Sequence, residues 1–441
     1  MSADARLARL AGHLRPAPTA ATAAIAAAAD TRVLAGIRVV ELATIIAAPA
    51  CAAVMADMGA EVIKIEAPTG DFWRRSALPL QRGTGRQWGS YFDNHNRGKK
   101  SVVLDIGTDE GLRALLALIA EADVFVTNVR RAGLARKGLD YEQLAAAHPR
   151  LIYAHLTAWG RDGPGAGQPG YDAGAFWAGS GMMDLVRSDD AAAPPRFPGG
   201  VGDHTAAIQL AMGVFAALYH RERTGAGQLV DASLQRAGIW TMSVPLLSAA
   251  LGNAEDPRAR REDAGTPTFS SYRCADGAWI YLLGLEIRKH LPAVVKALGL
   301  EAKLAADPLL ATQALQLSNR RELIRAFDEA FATRDAAAWE ARFQAHGVWF
   351  CKVLRLEEVL ADEQAKAAGA FHYGVEGVGH ELVAVPVNLS CSEQHVPKGR
   401  APSLGAHTAE VLGRLPLAAA DVEVLTRASA AAAAAVPPAK K

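Results

Sequence analysis

Two aspartates in glycine-rich loops are the residues whose type and spacing best suit chemistry. Asp203 stands in Gly199-Gly200-Val201-Gly202-Asp203-His204, and Asp172 follows Gly170-Tyr171. Glycines remove side-chain bulk around a carboxylate, and nearby backbone N–H groups can stabilise an oxyanion. A carboxylate so placed is a recognised covalent catalyst. The same positions also suit a structural role. Asp203 lies where a loop meets an apolar helix, and aspartate there caps orphan helix N–H groups. Asp172 has a loop- and helix-capping reading too. His204 reads as a packing or hydrogen-bonding residue, since one sequence neighbour does not establish a dyad.

Basic residues gather in two segments, Asn96-Arg97-Gly98-Lys99-Lys100 and a stretch holding Arg130, Arg131, Arg136 and Lys137. Both read as lying where strands end, which is where ligands of open α/β sheets bind. Arginine and lysine there suit a phosphorylated ligand, although a solvated basic surface gives the same pattern. The first strand–helix turn, residues 43–49 (ATIIAAP), carries neither a G-x-G-x-x-G fingerprint nor a P-loop. A dinucleotide dehydrogenase or a P-loop ATPase is therefore not indicated. Its small alanines allow either a ligand near the backbone or plain tight packing.

The elements that must position these residues alternate. Residues 37–42 (IRVVEL), 61–66 (EVIKIE), 101–105 (SVVLD), 123–127 (DVFVT) and 151–157 (LIYAHLT) read as strands. Helices are expected at 49–58, with Pro49 in the first turn and Gly59 past the end, and at 141–147. Another follows Thr108 as cap, with Leu112, Leu115, Leu116 and Ile119 on one face. Strand, helix, strand in succession implies an open doubly wound parallel sheet, a Rossmann-like α/β domain. Loops at 160–170 and 194–202 precede a strong helix with Ile208, Ala211, Val214, Phe215 and Leu218 on one face. Arg221 and Arg223 suit its C-terminal end, and Gly225 ends it. Residues 272–283 read as a hairpin around Asp276-Gly277, followed by helices. The expected division is an N-terminal extension at 1–32, a large domain at 33–239, a smaller inserted α+β domain at 240–365, a C-terminal part at 366–425 that returns to the large domain through a strand-rich stretch at 371–389, and a tail at 426–441. The extension is alanine-rich, contains Arg6, Arg9 and Arg15, and reads as a short amphipathic helix or a loose segment. Residues 428–441 are of low complexity.

Composition limits the partners. Half of the 441 residues are hydrophobic, enough for a large core, and the formal net charge is +1. Such a balance draws the chain to neither nucleic acid nor membrane. No apolar run reaches the ~18–20 residues of a membrane span. Cys51, Cys274, Cys351 and Cys391 are scattered, so neither a disulfide framework nor a zinc site is expected, and a cytoplasmic setting fits best. The histidines form no metal-binding pattern, and no metal is expected.

Taken together the segments resemble the family III CoA transferases, the family of formyl-CoA transferase and carnitine CoA-transferase. The resemblance rests on LAGIRVVEL (34–42), MADMGAEVIKIEAP (55–68), NRGKKSVVLD (96–105), ADVFVTNVRRAGLARKGLDYEQL (122–144), PRLIYAHLTAWGRDGP (149–164), PGYDAGAFWAGSG (169–181), HRERTGAGQLVDASL (220–234) and APSLGAHTAEVL (401–412). It covers nearly all of residues 33–415. It implies that Asp203 is the nucleophile and Asp172 a second acidic site residue. It implies CoA contacts at Ala47, Leu104, Asp105, Asn128, Val129, Arg130 and Arg136. The implied substrates are an acyl-CoA and a carboxylic acid, with no prosthetic group, and the implied assembly is an interlocked homodimer. Phe176, Trp177 and Met182 are open to an acyl-pocket or a core role. Ala67, Ile46 and the Gly265-Thr266-Pro267 stretch depart from formyl-CoA transferase and count against formyl and oxalate as substrates. The related α-methylacyl-CoA racemases have histidine where this chain has Tyr171, and tyrosine, with a pKa near ~10, is a poor neutral-pH base. A CoA-binding subunit without activity of its own is a third reading, against which the intact Asp203 counts.

Overall fold

The computed structural model describes residues 32–75, 89–189, 191–195, 197–252, 261, 266–390 and 399–435. Expectations resting on Arg6, Arg9, Arg15 and the rest of the extension before Arg32, on Gly265, on Cys391 and on residues 436–441 lie outside them. Contacts divide the chain into two compact units. One holds the chain up to Ser180, Pro198–Thr241 and the chain from Ala367 onward; the other holds Gly181–Phe197 and Met242–Lys366.

In the first unit β1 (Arg38–Leu42), α1 (Ala47–Asp57), β2 (Glu61–Glu66), α2 (Phe72–Arg75), α3 (Gly89–Asn96), β3 (Lys100–Val103), α4 (Asp109–Ala120), β4 (Val124–Thr127), α5 (Arg131–Ala135), α6 (Tyr141–Ala147) and β5 (Ile152–Thr157) follow one another. A π-helix (Ala173–Ala178), α7 (Val201–Thr224), β6 (Leu229–Ser233) and α8 (Leu234–Thr241) complete the series. The six strands form one sheet in the order β3-β2-β1-β4-β5-β6. Every pairing in it is parallel. The strands are rich in valine and isoleucine because both faces of the sheet are covered. Val39, Val40, Val124, Phe125 and Val126 are fully buried. The order reverses between β1 and β4, and this reversal opens a crevice at their carboxyl ends.

Local signals set the boundaries. Thr108 caps α4, its Oγ1 accepting from Gly111 N at 3.1 Å, and Asp140 caps α6, its Oδ1 accepting from Gln143 N at 3.2 Å. Helix α1 starts at Ala47, two residues earlier than its proline signals, which leaves Pro49 in the first turn. Helix α7 ends on Gly225, left-handed at φ +78°. By length and composition α7 could cross a membrane, contrary to the expectation that no segment could. Half of its apolar window is buried inside the fold, as in a core helix.

Charge is buried under the first turn. Glu41, Lys64 and Lys99 have almost no exposed surface. Glu41 accepts from Lys64 Nζ at 2.8 Å and from Lys99 Nζ at 2.6 Å. Lys64 also pairs with Asp71 at 3.1 Å and donates to Ala43 O at 2.9 Å. Lys99 also donates to Pro49 O at 2.8 Å. The two ammonium groups therefore hold both ends of the turn that leads from β1 into α1. Burial alone would raise the Glu41 pKa, but the two lysines outweigh it and hold the group below its ordinary value. Burial pulls Lys99 down to about 8 against the opposing pull of Glu41.

The exposed edge of β3 is covered by the C-terminal segment, which blocks further strand pairing there. His407 N donates to Ser101 O at 3.0 Å, and Thr408 Oγ1 accepts from Val103 N at 3.1 Å. Thr408 Oγ1 also meets Ser429 Oγ at 2.8 Å, so the low-complexity stretch from 428 to 435 is not loose: it belongs to a helix, Ala419–Ala435. The stretch around 371–389, expected to be strand-rich, holds only the two-residue strands Phe371–His372 and Leu382–Val383. In the second unit Ser271–Arg273, Trp279–Leu282 and Phe350–Lys352 form an antiparallel sheet. Its hairpin turns at Asp276-Gly277, with Gly277 at φ +82°. Helices pack on that sheet through Tyr272, Phe327, Phe331, Trp339 and Phe343.

Replacing Glu41 by alanine leaves two buried ammonium groups without their shared carboxylate. Loss of one partner of a buried ion pair costs about 3–5 kcal/mol. Urea denaturation of Glu41→Ala at neutral pH is expected to show a loss of that size.

Candidate active site

The first turn of α7 carries Asp203, but not as its cap. The cap position is Gly200, left-handed at φ +84°, and Asp203 is the third helical residue. The capping is done from another segment. Asp172 Oδ2 accepts from Gly200 N at 2.8 Å, and its Oδ1 accepts from Gly202 N at 3.0 Å. The carboxylate just before the π-helix thus satisfies the N–H groups that open α7. The approach demands glycine at 202. A Cβ there would lie 2.2 Å from Asp172 Oδ1 and 2.2 Å from Phe176 Cγ. Phe176, 1% exposed, packs beneath α7 and is a core residue.

Asp203 is left free by this arrangement. It is 9% exposed, and among the described residues nothing donates a hydrogen bond to its carboxylate. Burial, and then the charge of Asp172, push its pKa up to about 7. Its place at a helix N-terminus favours the anion. It is therefore a carboxylate with unused lone pairs and a substantial ionised fraction at neutral pH, which is what covalent attack requires. Burial likewise raises Asp172, against the pull of the Gly200 and Gly202 N–H groups.

Two histidines meet beside this pair. His204 Nδ1 lies 2.6 Å from Gly200 O, and His204 Nε2 lies 3.0 Å from His95 Nε2. His95 Nδ1 lies 2.7 Å from Tyr91 O. His95 is buried and comes from α3. It could not be picked out from the sequence, because its partner is 109 residues away.

The first turn approaches from the sheet. Ile45 has φ +74° and is the non-glycine residue with positive φ among those described. A β-branched residue in that region is strained, and such strain persists only where the surroundings impose it. Nothing in the sequence signalled it. Ile46 Cδ1 would lie 3.5 Å from a Cβ at Gly200, so the first turn borders the start of α7. Ala47 opens α1 and is buried. Asn128 ties the loop after β4 to that turn, its Nδ2 donating to Thr44 O at 2.8 Å and its Oδ1 accepting from Thr44 N at 3.1 Å. Val129 O meets His155 Nε2 at 3.0 Å. These residues are brought together at the β1/β4 crevice.

Arg130 and Arg136 flank the short helix α5 and are exposed. Neither is in an ion pair among the described residues, whereas Arg131 pairs with Glu142 at 3.4 Å and Lys137 Nζ donates to Ile106 O at 2.7 Å. Leu104 and Asp105 lie past the end of β3. The Leu104 side chain is in the core and its N–H donates to Glu66 O at 2.9 Å, while Asp105 is exposed with Oδ1 accepting from Gly107 N at 2.8 Å. The other basic segment does not lie at a strand's carboxyl end. It enters β3, and its charges are already paired: Arg97 with Asp57 at 2.6 Å, Lys99 with Glu41, and Lys100 with Glu61 at 2.7 Å. Tyr171 is 70% exposed.

A six-stranded parallel sheet with a buried, unbonded carboxylate near its topological switch point defines an α/β protein with an enzyme-like site. The chain belongs to CoA-transferase family III, whose sequence model matches residues 34–408, and it is a CoA-transferase. It is 34% identical to an (R)-2-hydroxy-4-methylpentanoate CoA-transferase of Clostridioides difficile, over 87% of this chain and 95% of the relative. It is 29% identical to a cinnamoyl-CoA:phenyllactate CoA-transferase of Clostridium sporogenes, over 90% and 97%. The crystal structure of a CAIB/BAIF family protein from Brucella suis matches with a TM-score of 0.75 at 30% identity, covering 86% of this chain and 98% of that one.

A methyl group at 202 collides with Asp172 and Phe176 together, and overpacking of this kind costs about 1–3 kcal/mol. Gly202→Ala is expected to lower stability by that amount in thermal unfolding, and to lower transferase activity more than this loss explains.

Proposed function

We propose that the chain moves CoA from an acyl-CoA donor to a carboxylic acid acceptor through covalent intermediates on Asp203. The observation that carries the reading is the free, buried carboxylate of Asp203 at the first turn of α7. Asp203 attacks the donor thioester carbonyl, forming an aspartyl–acyl anhydride and releasing CoA thiolate. The thiolate attacks the aspartyl carbonyl, and the donor acid leaves, giving an aspartyl–CoA thioester. The acceptor carboxylate attacks that thioester, and the returning thiolate completes the exchange. Each step is a reversible acyl transfer, and no step consumes water, which must be kept out. Asp172 is a positioning residue here: it holds the backbone that presents Asp203.

In this reading CoA lies along the carboxyl edge of the sheet. Arg130 and Arg136 neutralise its phosphates, while Ala47, Asn128, Val129 and the backbone at Leu104 and Asp105 line its path. The lack of ion pairs at the two arginines among the described residues supports that role. The acceptor class closest to the named relatives is a 2-hydroxy acid with a branched or aromatic side chain. We read the two compact units as the large and small domains, the site as cytoplasmic, and the assembly as an interlocked homodimer. An apolar groove of about 740 Å³ lined by Val33, Met58, Met212, Phe215, Tyr219 and Leu389 supports the last point.

Asp203→Ala is expected to abolish turnover while CoA still binds. Mass spectrometry of the native enzyme with an acyl-CoA is expected to find a CoA adduct on the peptide containing Asp203. Near-normal transfer by the alanine variant would remove the assignment. Because Asp203 attacks as the anion, kcat/KM is expected to fall as pH drops through about 7. Its raised folded pKa means the folded state binds the proton that the unfolded state has already released above its ordinary pKa. This group therefore lowers stability as pH rises from about 4 to about 7. Asp203→Asn is accordingly expected to be inactive yet more stable at pH 8, by roughly 1–3 kcal/mol. Arg136→Ala is expected to raise KM for the acyl-CoA several-fold with little change in kcat, read from steady-state kinetics.

A further inference from the structure

We infer that His95 and His204 share a single proton across their Nε2 atoms, and that the resulting cation is a positioning charge that holds Asp172 in the carboxylate form that caps α7. The argument is a count of protons. A carbonyl oxygen can only accept, so the nitrogen facing it must carry hydrogen. Tyr91 O therefore requires a proton on His95 Nδ1, and Gly200 O requires one on His204 Nδ1. The two Nε2 atoms, 3.0 Å apart, then face each other, and without a proton two lone pairs would meet. One proton between them satisfies all four nitrogens. Two imidazoles carrying three ring protons have a net charge of +1.

The surroundings decide which ring holds the charge. His95 is buried and faces Arg97 and Lys99 as well as His204. Burial, and then the charge of His204, hold His95 down to about 3. His204 is exposed and faces Asp172, whose carboxylate it helps to hold in the charged form, and its sequence neighbour is Asp203. The shared proton therefore places positive charge on the side of Asp172, with His95 Nε2 as the acceptor. The two rings reach back alike, each to the carbonyl four residues before it, which locks both orientations. Gly200 joins the cation to the carboxylates: its N–H donates to Asp172 and its C=O accepts from His204. A cation at this point favours the carboxylate form of Asp172, the form that can accept from both Gly200 N and Gly202 N.

The test has two arms. In the full-length enzyme with nitrogen-15 in its histidines, NMR is expected to find one of the two imidazoles doubly protonated through pH 7.5. Two neutral imidazoles at pH 7 would overturn the inference. This arm needs no assumption about Asp203, so it remains decisive even if the covalent reading fails. In the second arm His204→Gln keeps the hydrogen-bonding capacity without the charge. The acid limb of kcat/KM is expected to move up by about one pH unit, because loss of the neighbouring cation favours the protonated form of Asp172, which can no longer accept from both Gly200 N and Gly202 N. Activity is expected to drop several-fold at pH 6.5 and to recover by pH 8.5. An acid limb that coincides with that of the native enzyme would mean packing only, and would also overturn the inference. The kinetic arm alone rests on the proposed role of Asp203.

Discussion

The site depends on one carboxylate that ties two segments together. Asp172 accepts from Gly200 N and Gly202 N, and so joins the segment before the π-helix to the first turn of α7. A buried helix start with unpaired N–H groups is costly, and those groups are normally satisfied by a side chain at the cap position. Here the cap position is a left-handed glycine, which has no side chain. The duty passes to Asp172, and among the described residues nothing donates to the Asp203 carboxylate. A chain that capped this helix with Asp203 itself would have tied up its only free carboxylate at that point.

Electrostatics around the site follow from this division of labour. Two carboxylates stand close together in a buried place, and only one is hydrogen-bonded. Burial raises both, and the bonded one is pulled back by two backbone N–H groups. This is a common pattern in acid–base and nucleophilic sites, where environment rather than residue type separates two like groups. The first turn is controlled by a separate charge system. Lys64 and Lys99 converge on Glu41 and also hold the carbonyls of Ala43 and Pro49. Between them they frame a backbone that carries Ile45 in a strained conformation, next to the start of α7. The two systems meet at the crevice between β1 and β4, where the sheet order reverses.

Basic residues show how pairing alters a first reading. In the sequence the segments around Arg97–Lys100 and Arg130–Lys137 look alike. In the fold the first is consumed internally, by Asp57, Glu41 and Glu61, while Arg130 and Arg136 stay exposed. The difference lies in which end of a strand each segment adjoins. The first leads into β3 and the second leaves β4, so only the second faces the crevice.

The sequence by itself determined the parallel α/β sheet, the helix ends at Thr108, Asp140 and Gly225, and the family. These are written in short-range patterns: β-branched runs, capping residues at fixed offsets and a nearly chain-long resemblance. It also picked out Asp172 and Asp203 as the two acidic residues of interest. Tertiary structure alone decided which of them caps the helix and which is free. It alone brought His95 to His204, set Ile45 in a left-handed conformation and buried Lys99 against Glu41. The physical reason is the same in each case. A hydrogen bond, a charge pair or a strained φ depends on a partner far along the chain, and such a partner leaves no mark on the residues near it.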